Sequence, residues 1–560
     1  MGEDGEIVAA DRRLRTPWRV PAGARGGAEP GELVVAEPLP RRGFGPRPMR
    51  ITERLGQFDG VRSLNEIVIR SLELAREFPP AALTEAAEAG PVERAGREDL
   101  RALPLVTIDG DDAKDFDDAV FAVPEAQGFR IIVAIADVAH YVRGGSWLDR
   151  SALERGNSVY LPNCVLPMLP EALSEGWCSL RPGAERGCVF AEIAVDAEGR
   201  KLRHRFGRGV MKSAARLTYE EVQHAIEHGD ALGLPGGAIA HLYAGWGALK
   251  RERARRGPLE IDLLERKVAC DATGRVVDVT RARRLPSHQL VEDFMILANV
   301  AAAEEMLARK LPGLYRVHAR PTVEKLAGLR SFLGEVGARL PASAAIRAAD
   351  LTAALAALAG SPTADAACEK VLQSLPEAAY AAENGGHFGL ALAAYAHFTS
   401  PIRRYADLLV HRALISTLPA EQGGARNTFL RSLGEVAIHL GITERRAAEA
   451  ERGVLARAQA ALQAGRIGSI GEGRISGVTR SLIFVKLQES GADGVVPVST
   501  LPRDSWHYDQ ARGSLTGARS GQCLAAGGRV RVRLVAACAV SGRVVFRLED
   551  GSGRARRGGG

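Results

Sequence analysis

The alternation of apolar and polar positions divides this chain into three textures. In residues 1–95 the apolar runs are short, as at 32–35 and 49–52, and the turn-forming stretch PLPRRGFGPRP separates them. Strand-length runs broken by Pro and Gly predict a small β domain. From Leu100 the runs lengthen into 105–108, 119–123 and 131–135, and the turn PEAQG makes the last two a hairpin. Helical spacing follows at 290–307, in the Ala-rich region 343–373 and at 401–417, before a long helix over about 430–464. This middle portion therefore reads as a large α+β domain. Beyond Gly465, five short runs at 473–478, 483–487, 494–498, 529–536 and 543–548 are broken by Gly-rich turns, which suits a small OB-type barrel.

Composition narrows the class. At 560 residues the chain is too long for one ordinary domain, and 46% hydrophobic with 25% charged residues describes neither a disordered chain nor a membrane protein. The start, MGEDGEIVAADRRLR, has no apolar core, so it predicts no secretory signal and a cytoplasmic location. Seven scattered cysteines without a C-x-x-C pair indicate neither a disulfide framework nor a zinc knuckle. The net charge of +7 is uneven: residues 511–560 hold ten arginines against Glu549 and Asp550, a net +8 that leaves −1 for the rest. A basic end on a near-neutral body suggests a polyanion partner.

The chemistry concentrates in TIDGDDAKDFDDAVF, where Asp109, Asp111, Asp112, Asp115, Asp117 and Asp118 crowd a loop between two apolar strands. Six mutually repelling carboxylates on rigid supports call for cations, and all-oxygen ligation points to magnesium or manganese. An EF-hand is excluded because Ala113, Lys114 and Val120 stand where that loop needs a ligand, a glycine and a bidentate Glu. Two metals roughly 4 Å apart suit an in-line attack of water on a phosphodiester, which is nuclease chemistry. A second segment, HFTSPIRRYADLLVHRALIST, predicts a helix with Ser400 as N-cap and Pro401 as first residue. Arg403 and Arg404 would then oppose the helix dipole unless an anion is bound there. Asp407 can pair with only one of them, leaving one structural and one functional arginine.

Three runs carry a resemblance: TIDGDDAKDFDDAV, IADVAHYVRGGSWLDRSALERGNSVYLPNCVLPMLPEALSEGWCSLRPG and ENGGHFGLALAAYAHFTSPIRRYADLLVHR. Together they resemble the ribonuclease II and ribonuclease R (RNB) family of exoribonucleases, the ribonuclease R branch more closely, from about Arg97 to the end of the C-terminal barrel. The resemblance implies a multidomain protein whose large α+β catalytic domain, 96–465, is flanked by small all-β OB-fold domains. These are a single cold-shock-type OB domain over 1–95, shorter than the ribonuclease R extension, and an RNA-binding OB domain over 466–550, followed by a basic disordered tail, 551–560.

The activity implied is magnesium-dependent, hydrolytic and processive 3′-to-5′ degradation of RNA with a single-stranded 3′ end to nucleoside 5′-monophosphates, with manganese as the alternative ion. A monomer acting away from membranes is expected. The alternatives are a ribonuclease II-like enzyme limited to single strands and a non-catalytic RNA-binding protein on the same scaffold. Carried over residue by residue, the resemblance assigns metal binding to Asp109, Asp115, Asp117 and Asp118, and catalysis to Asp117 and Arg403. Tyr160, which by pattern alone reads as a packed core aromatic, would clamp the last nucleotides, and Tyr219 would contact the ribose 2′-hydroxyl. Arg404, Phe484 and the alternating Arg529, Arg531 and Arg533 complete the expected RNA contacts, with Trp506, His507 and Tyr508 as further aromatics.

Overall fold

The computed structural model describes residues 2, 4–11, 14, 18–40, 45–261, 266–281, 283–343, 345–361, 363–422, 432–510 and 513–549. The expected tail at 551–560 lies outside them. At the centre is a seven-stranded sheet whose strands run in the order Ala215–Thr218, Val106–Asp109, Asp118–Glu125, Gly128–Ala136, Glu185–Asp196, Lys201–Lys212 and Glu98–Asp99. Its middle strands are covered on both faces. Ile131, Val133 and Ile135 enter one apolar layer, with Leu290 and Phe294 of the helix Pro286–Arg309. Ile132, Ala134 and Ala136 enter the other, with Leu148 and Ala152 of the helix Trp147–Arg155. Two-sided burial is why this strand reads as an unbroken apolar run, and each large side chain so buried stabilises the fold by about 1.5–3 kcal/mol. The PEAQG turn closes the hairpin as expected, with Glu125 opposite Gly128. Gly128 has φ 152°, and a Cβ there would meet the Val195 carbonyl at 2.2 Å, so only glycine fits.

The 290–307 and 430–464 patterns emerge as the helices Pro286–Arg309 and Leu433–Ala464, the second opened by a capping box on Ser432 and Glu435. The Ala-rich region splits into Ala348–Ala356 and Ala364–Ser374. At the C-terminal end, Ile470–Val478, Leu482–Leu487, Asp493–Pro497, Arg543–Leu548 and Arg529–Cys538 close into a barrel in that order. A three-stranded sheet, Trp506–Asp509, Ser514–Gly517 and Cys523–Ala525, is inserted in it.

Before the seven-stranded sheet, the described strands form a four-stranded sheet that ends at Gln57. The helices Gly60–Ser71 and Pro80–Ala87 occupy the remainder of the stretch expected to be β. Val61, Leu64 and Val68 form a helical stripe that packs against Val454 and Ala458 of the long helix, and this tertiary burial decides the element. Among the described residues no helix is long and apolar enough to cross a membrane.

Candidate active site

The acidic loop hangs between two core strands, one ending on Asp109 and the next beginning on Asp118. Arg216, on the neighbouring strand, donates from Nη2 to the carbonyls of Gly110 and Asp111 at 2.5 and 2.7 Å. Asp117 is 4% exposed, and its Oδ1 accepts the Ile402 N–H at 2.8 Å. Its Oδ2 is buried without a hydrogen-bond partner, and the Arg403 Nε stands 3.6 Å away. Asp115 accepts the Tyr160 hydroxyl at 2.8 Å, and Asp109 accepts the Gly110 N–H at 2.7 Å. Asp111 and Asp112 instead stay in solvent: the Asp111 side chain is 96% exposed, and Asp112 is exposed as well.

Burial pushes the Asp117 carboxyl well above the ordinary range; Arg403 opposes this, while Asp115 and Asp118 add to it. Burial, and then Asp109, push Asp118 up to about 7. Asp109 is raised by burial, with Asp115 adding and Arg403 opposing. Among the described residues no three His, Cys, Asp or Glu side chains already stand in a ligating arrangement. The donors nevertheless fit a hard divalent cation. They are all oxygen, they repel one another, and the buried Asp117 Oδ2 has a lone pair that no hydrogen bond uses.

The second segment corrects one expectation. Its helix is Tyr405–Ile415, with Arg404 as an extended N-cap residue at φ −139° and ψ 123°, so neither Ser400 nor Pro401 begins it. Residues 401–403 form a turn closed on the Ser400 carbonyl, and a strand-like bridge at Arg404 separates that turn from the helix. Arg404 bridges Asn157, the Ser158 N–H donates to the Arg403 carbonyl at 3.0 Å, and the Tyr405 N–H donates to that of Gly156 at 3.0 Å. Asp407 reaches back to accept the Ser400 N–H at 2.8 Å. Arg404 forks onto Asp407, Nε to Oδ2 and Nη2 to Oδ1, both at 2.8 Å. Its guanidinium is held by Asp407, while the residue still lines the cavity that Tyr160 and Arg403 share. Arg403 remains 47% exposed and donates to the Ser400 Oγ at 3.0 Å.

Tyr160 is 37% exposed and is not the packed core aromatic that its pattern suggested. Its strand neighbours Val159 and Leu161 are buried, which turns Tyr160 to the opposite side, toward Asp115. Tyr219 opens the helix Tyr219–His228 and stacks on His288, with ring centroids 3.9 Å apart and planes 14° from parallel. Its hydroxyl is pushed upward by burial and then by Asp109 and Asp118, which places it beside the acids. A cavity of about 220 Å³ opens between Tyr160, Tyr380, Arg403 and Glu444. Phe484 and the three expected arginines belong to the barrel instead. Phe484 is 39% exposed, Arg529 and Arg531 are exposed, and Arg533 is held by Glu549 at 2.6 Å and the Gly468 carbonyl at 2.9 Å.

The RNB domain matches residues 97–419. Ribonuclease R of Escherichia coli (strain K12) is 39% identical over 550 residues, 95% of this chain and 68% of that protein. The chain belongs to the ribonuclease R branch of the RNB family. It is thereby a 3′-to-5′ exoribonuclease, in a family whose ribonucleases depend on a divalent metal. Ribonuclease R of Thermotoga maritima is 36% identical over 566 residues, covering 98% of this chain and 79% of that one. Mycoplasma genitalium RNase R in complex with ribose methylated single-stranded RNA has a TM-score of 0.89 at 25% identity, covering 97% and 87% of the two chains. Yeast Ssd1, a pseudonuclease, shares the fold at a TM-score of 0.66 and 17% identity, over 91% of this chain and 65% of that one. Within this RNB chain, Arg216 and the Ile402 amide are site elements that sequence reasoning missed. They reach the acid loop from 106 and 285 residues away, and no local spacing signals either.

Proposed function

We propose that this chain hydrolyses RNA processively from a single-stranded 3′ end, with magnesium, and releases nucleoside 5′-monophosphates. The observation that carries this reading is the meeting of two motifs. The Ile402 amide fixes Asp117 Oδ1, and Arg403 Nε lies 3.6 Å from the otherwise unbonded Oδ2. Asp109, Asp115, Asp117 and Asp118 would hold the metal. When bound, magnesium supplies an activated water and neutralises charge on the scissile phosphate.

The chain's own groups do the positioning. Asp117 cannot swing, because its other oxygen is tied to the Ile402 backbone. Arg403 gives up only its bond to the Ser400 Oγ and a loose pairing with Asp117 when its planar fork turns to a phosphate oxygen. Tyr160 presents its ring beside the Arg403 cavity, where it would clamp the terminal nucleotides. Tyr219, held flat against His288, would sense the ribose 2′-hydroxyl. We read 96–465 as the catalytic domain, with the N-terminal β sheet and the 466–550 barrel guiding the strand into it.

A 5′-labelled RNA with a 3′ overhang and an internal duplex tests this reading. The expected outcome is conversion of full-length RNA from the 3′ end to a short 5′-labelled remnant with few intermediates, with mononucleotides released when the body of the RNA is labelled, and all of it stopped by chelation of divalent ions. Internal cuts, or turnover that survives chelation, would sink it. Asp117→Asn should reduce the single-turnover rate by at least about a hundredfold with RNA affinity nearly parental, because the other carboxylates and the RNA path remain. Near-parental turnover in that variant would return the metal assignment to open choice.

A further inference from the structure

The second half of the acid loop is fixed by a residue that lies outside every assigned role. Ser179 is 0% exposed, and its hydroxyl works in both directions. It accepts the Phe116 N–H at 3.1 Å and donates to the Lys114 carbonyl at 2.7 Å. Next to it, the Leu180 N–H donates to the Phe116 carbonyl at 3.0 Å. These three bonds bracket Asp115 on both sides. Arg216 performs the matching task at Gly110 and Asp111, so each half of the loop has its own tether.

The segment that carries Ser179 is itself stiff. It leaves a single π-helical turn, Ala172–Trp177, a conformation found frequently at functional sites. Leu173, Cys178 and Leu180 are all buried, and Arg186 Nε donates to the Ser179 carbonyl at 3.1 Å. The Phe116 side chain packs in the same apolar layer as Leu180 and Cys178, so the loop cannot shift without disturbing that layer. A hydroxyl can accept one bond and donate another within the volume of one small atom. Alanine would leave the Phe116 N–H and the Lys114 carbonyl unmet at a buried site.

We propose that Ser179 is a positioning residue for the divalent-metal site: by holding 114–116 from both sides it sets where Asp115 presents its carboxylate. This rests on the reading of Asp115 as a metal ligand. Groups that orient a ligand from behind typically change metal affinity by 10- to 100-fold when removed, because the ligand must then be ordered at the moment of binding.

Two variants test the assignment. Ser179→Ala removes both bonds, and Ser179→Cys keeps the packing but bonds weakly. Manganese binding is followed without RNA through loss of the free-ion electron paramagnetic resonance signal. Melting temperature, RNA affinity in chelator and the magnesium dependence of single-turnover cleavage are measured alongside. Both variants should bind manganese about tenfold more weakly and need correspondingly more magnesium for half-maximal rate. RNA affinity in chelator should stay parental, and saturating metal should restore a near-parental rate.

Parental manganese affinity in the folded variants overturns the proposal, and so does a rate loss that saturating metal leaves in place. If Ser179→Ala does not fold, Ser179→Cys decides on the same readings. Asp115→Asn separates the two layers of the argument. Parental metal affinity in Asp115→Asn overturns the ligand assignment itself. Weakened affinity there, beside a parental Ser179→Ala, overturns only the positioning role.

Discussion

Arg403 and Arg404 are chemically identical neighbours that meet opposite surroundings, because the backbone passes from a turn at Arg403 to an extended residue at Arg404. Arg403 looks onto Asp117 and solvent, while Arg404 is locked onto Asp407 by two bonds of 2.8 Å. An ammonium group keeps the charge but loses the fork in either place. Arg403→Lys should therefore lower the single-turnover rate by about tenfold to a hundredfold with little change in RNA affinity or melting temperature. Arg404→Lys should cost about 1–3 kcal/mol of stability, since Asp407 must also keep the Ser400 N–H. Measuring rate and melting temperature for both variants decides the matter, and the opposite pattern would reverse the roles of the two residues. That Asp407 would pair with one of the two arginines was legible from spacings of three and four, and the resemblance pointed to Arg404 as that one. The start of the helix was not, because the bridge of Arg404 to Asn157 is a tertiary contact that local capping preferences do not contain. The same division holds across the site. Six aspartates within ten residues announce themselves, whereas Ser179, Arg216 and the Ile402 amide act on them across the fold.

At the scale of elements, one buried carboxylate ties three segments of the catalytic sheet together. Asp137 follows the strand Gly128–Ala136, and its Oδ2 receives Arg97 at 2.7 Å and Arg208, from Lys201–Lys212, at 2.6 Å. Burial alone would raise this carboxyl, but Arg208 and then Arg97 outweigh it and hold the group below its ordinary 3.8. A carboxylate depressed in the folded state contributes stability that is fully present above the unfolded value, and that is lost as pH falls through the folded value. Chemical denaturation followed from pH 7 to pH 2 should thus show an acid limb below about pH 4 to which Asp137 contributes. Asp137→Asn should cost about 3–5 kcal/mol at neutral pH, because two arginines are left buried beside a neutral amide, and it should flatten that limb. An acid limb of parental steepness in the variant would assign the loss to other acids. The strands of this sheet were legible because burial on both faces leaves long apolar runs. The helix Gly60–Ser71 was passed over because its stripe is embedded in a Pro- and Gly-rich region, and its partner lies on the helix Leu433–Ala464.

At the scale of the whole molecule, the acid site sits on the seven-stranded sheet and the barrel arginines on another, so substitutions at the two are expected to act separately on cleavage and on RNA binding. The barrel strands were legible from their turns, but the face they present was not. Arg529, Arg531 and Arg533 alternate along one strand, yet Arg533 is held by Glu549 and the Gly468 carbonyl. Arg531 stands opposite Glu472, and Arg529 stands opposite Arg474. Like charges directly across a strand pair are destabilising, and a phosphate laid between them removes that penalty. We accordingly expect Arg529 to be the strongest phosphate contact of the three, Arg531 a weaker one and Arg533 a structural residue. Each phosphate contact on single-stranded RNA contributes about 0.7 to the slope of log affinity against log salt. Arg529→Ala should therefore flatten that slope by about 0.7 and weaken binding evenly across sequences, while single-turnover cleavage at saturating enzyme stays parental. Arg533→Ala should leave the slope alone and lower the melting temperature of the barrel. Fluorescence anisotropy of a labelled single strand across a salt series measures the slope for both variants. A parental slope for Arg529→Ala would move the phosphate contacts off this strand and into the catalytic domain.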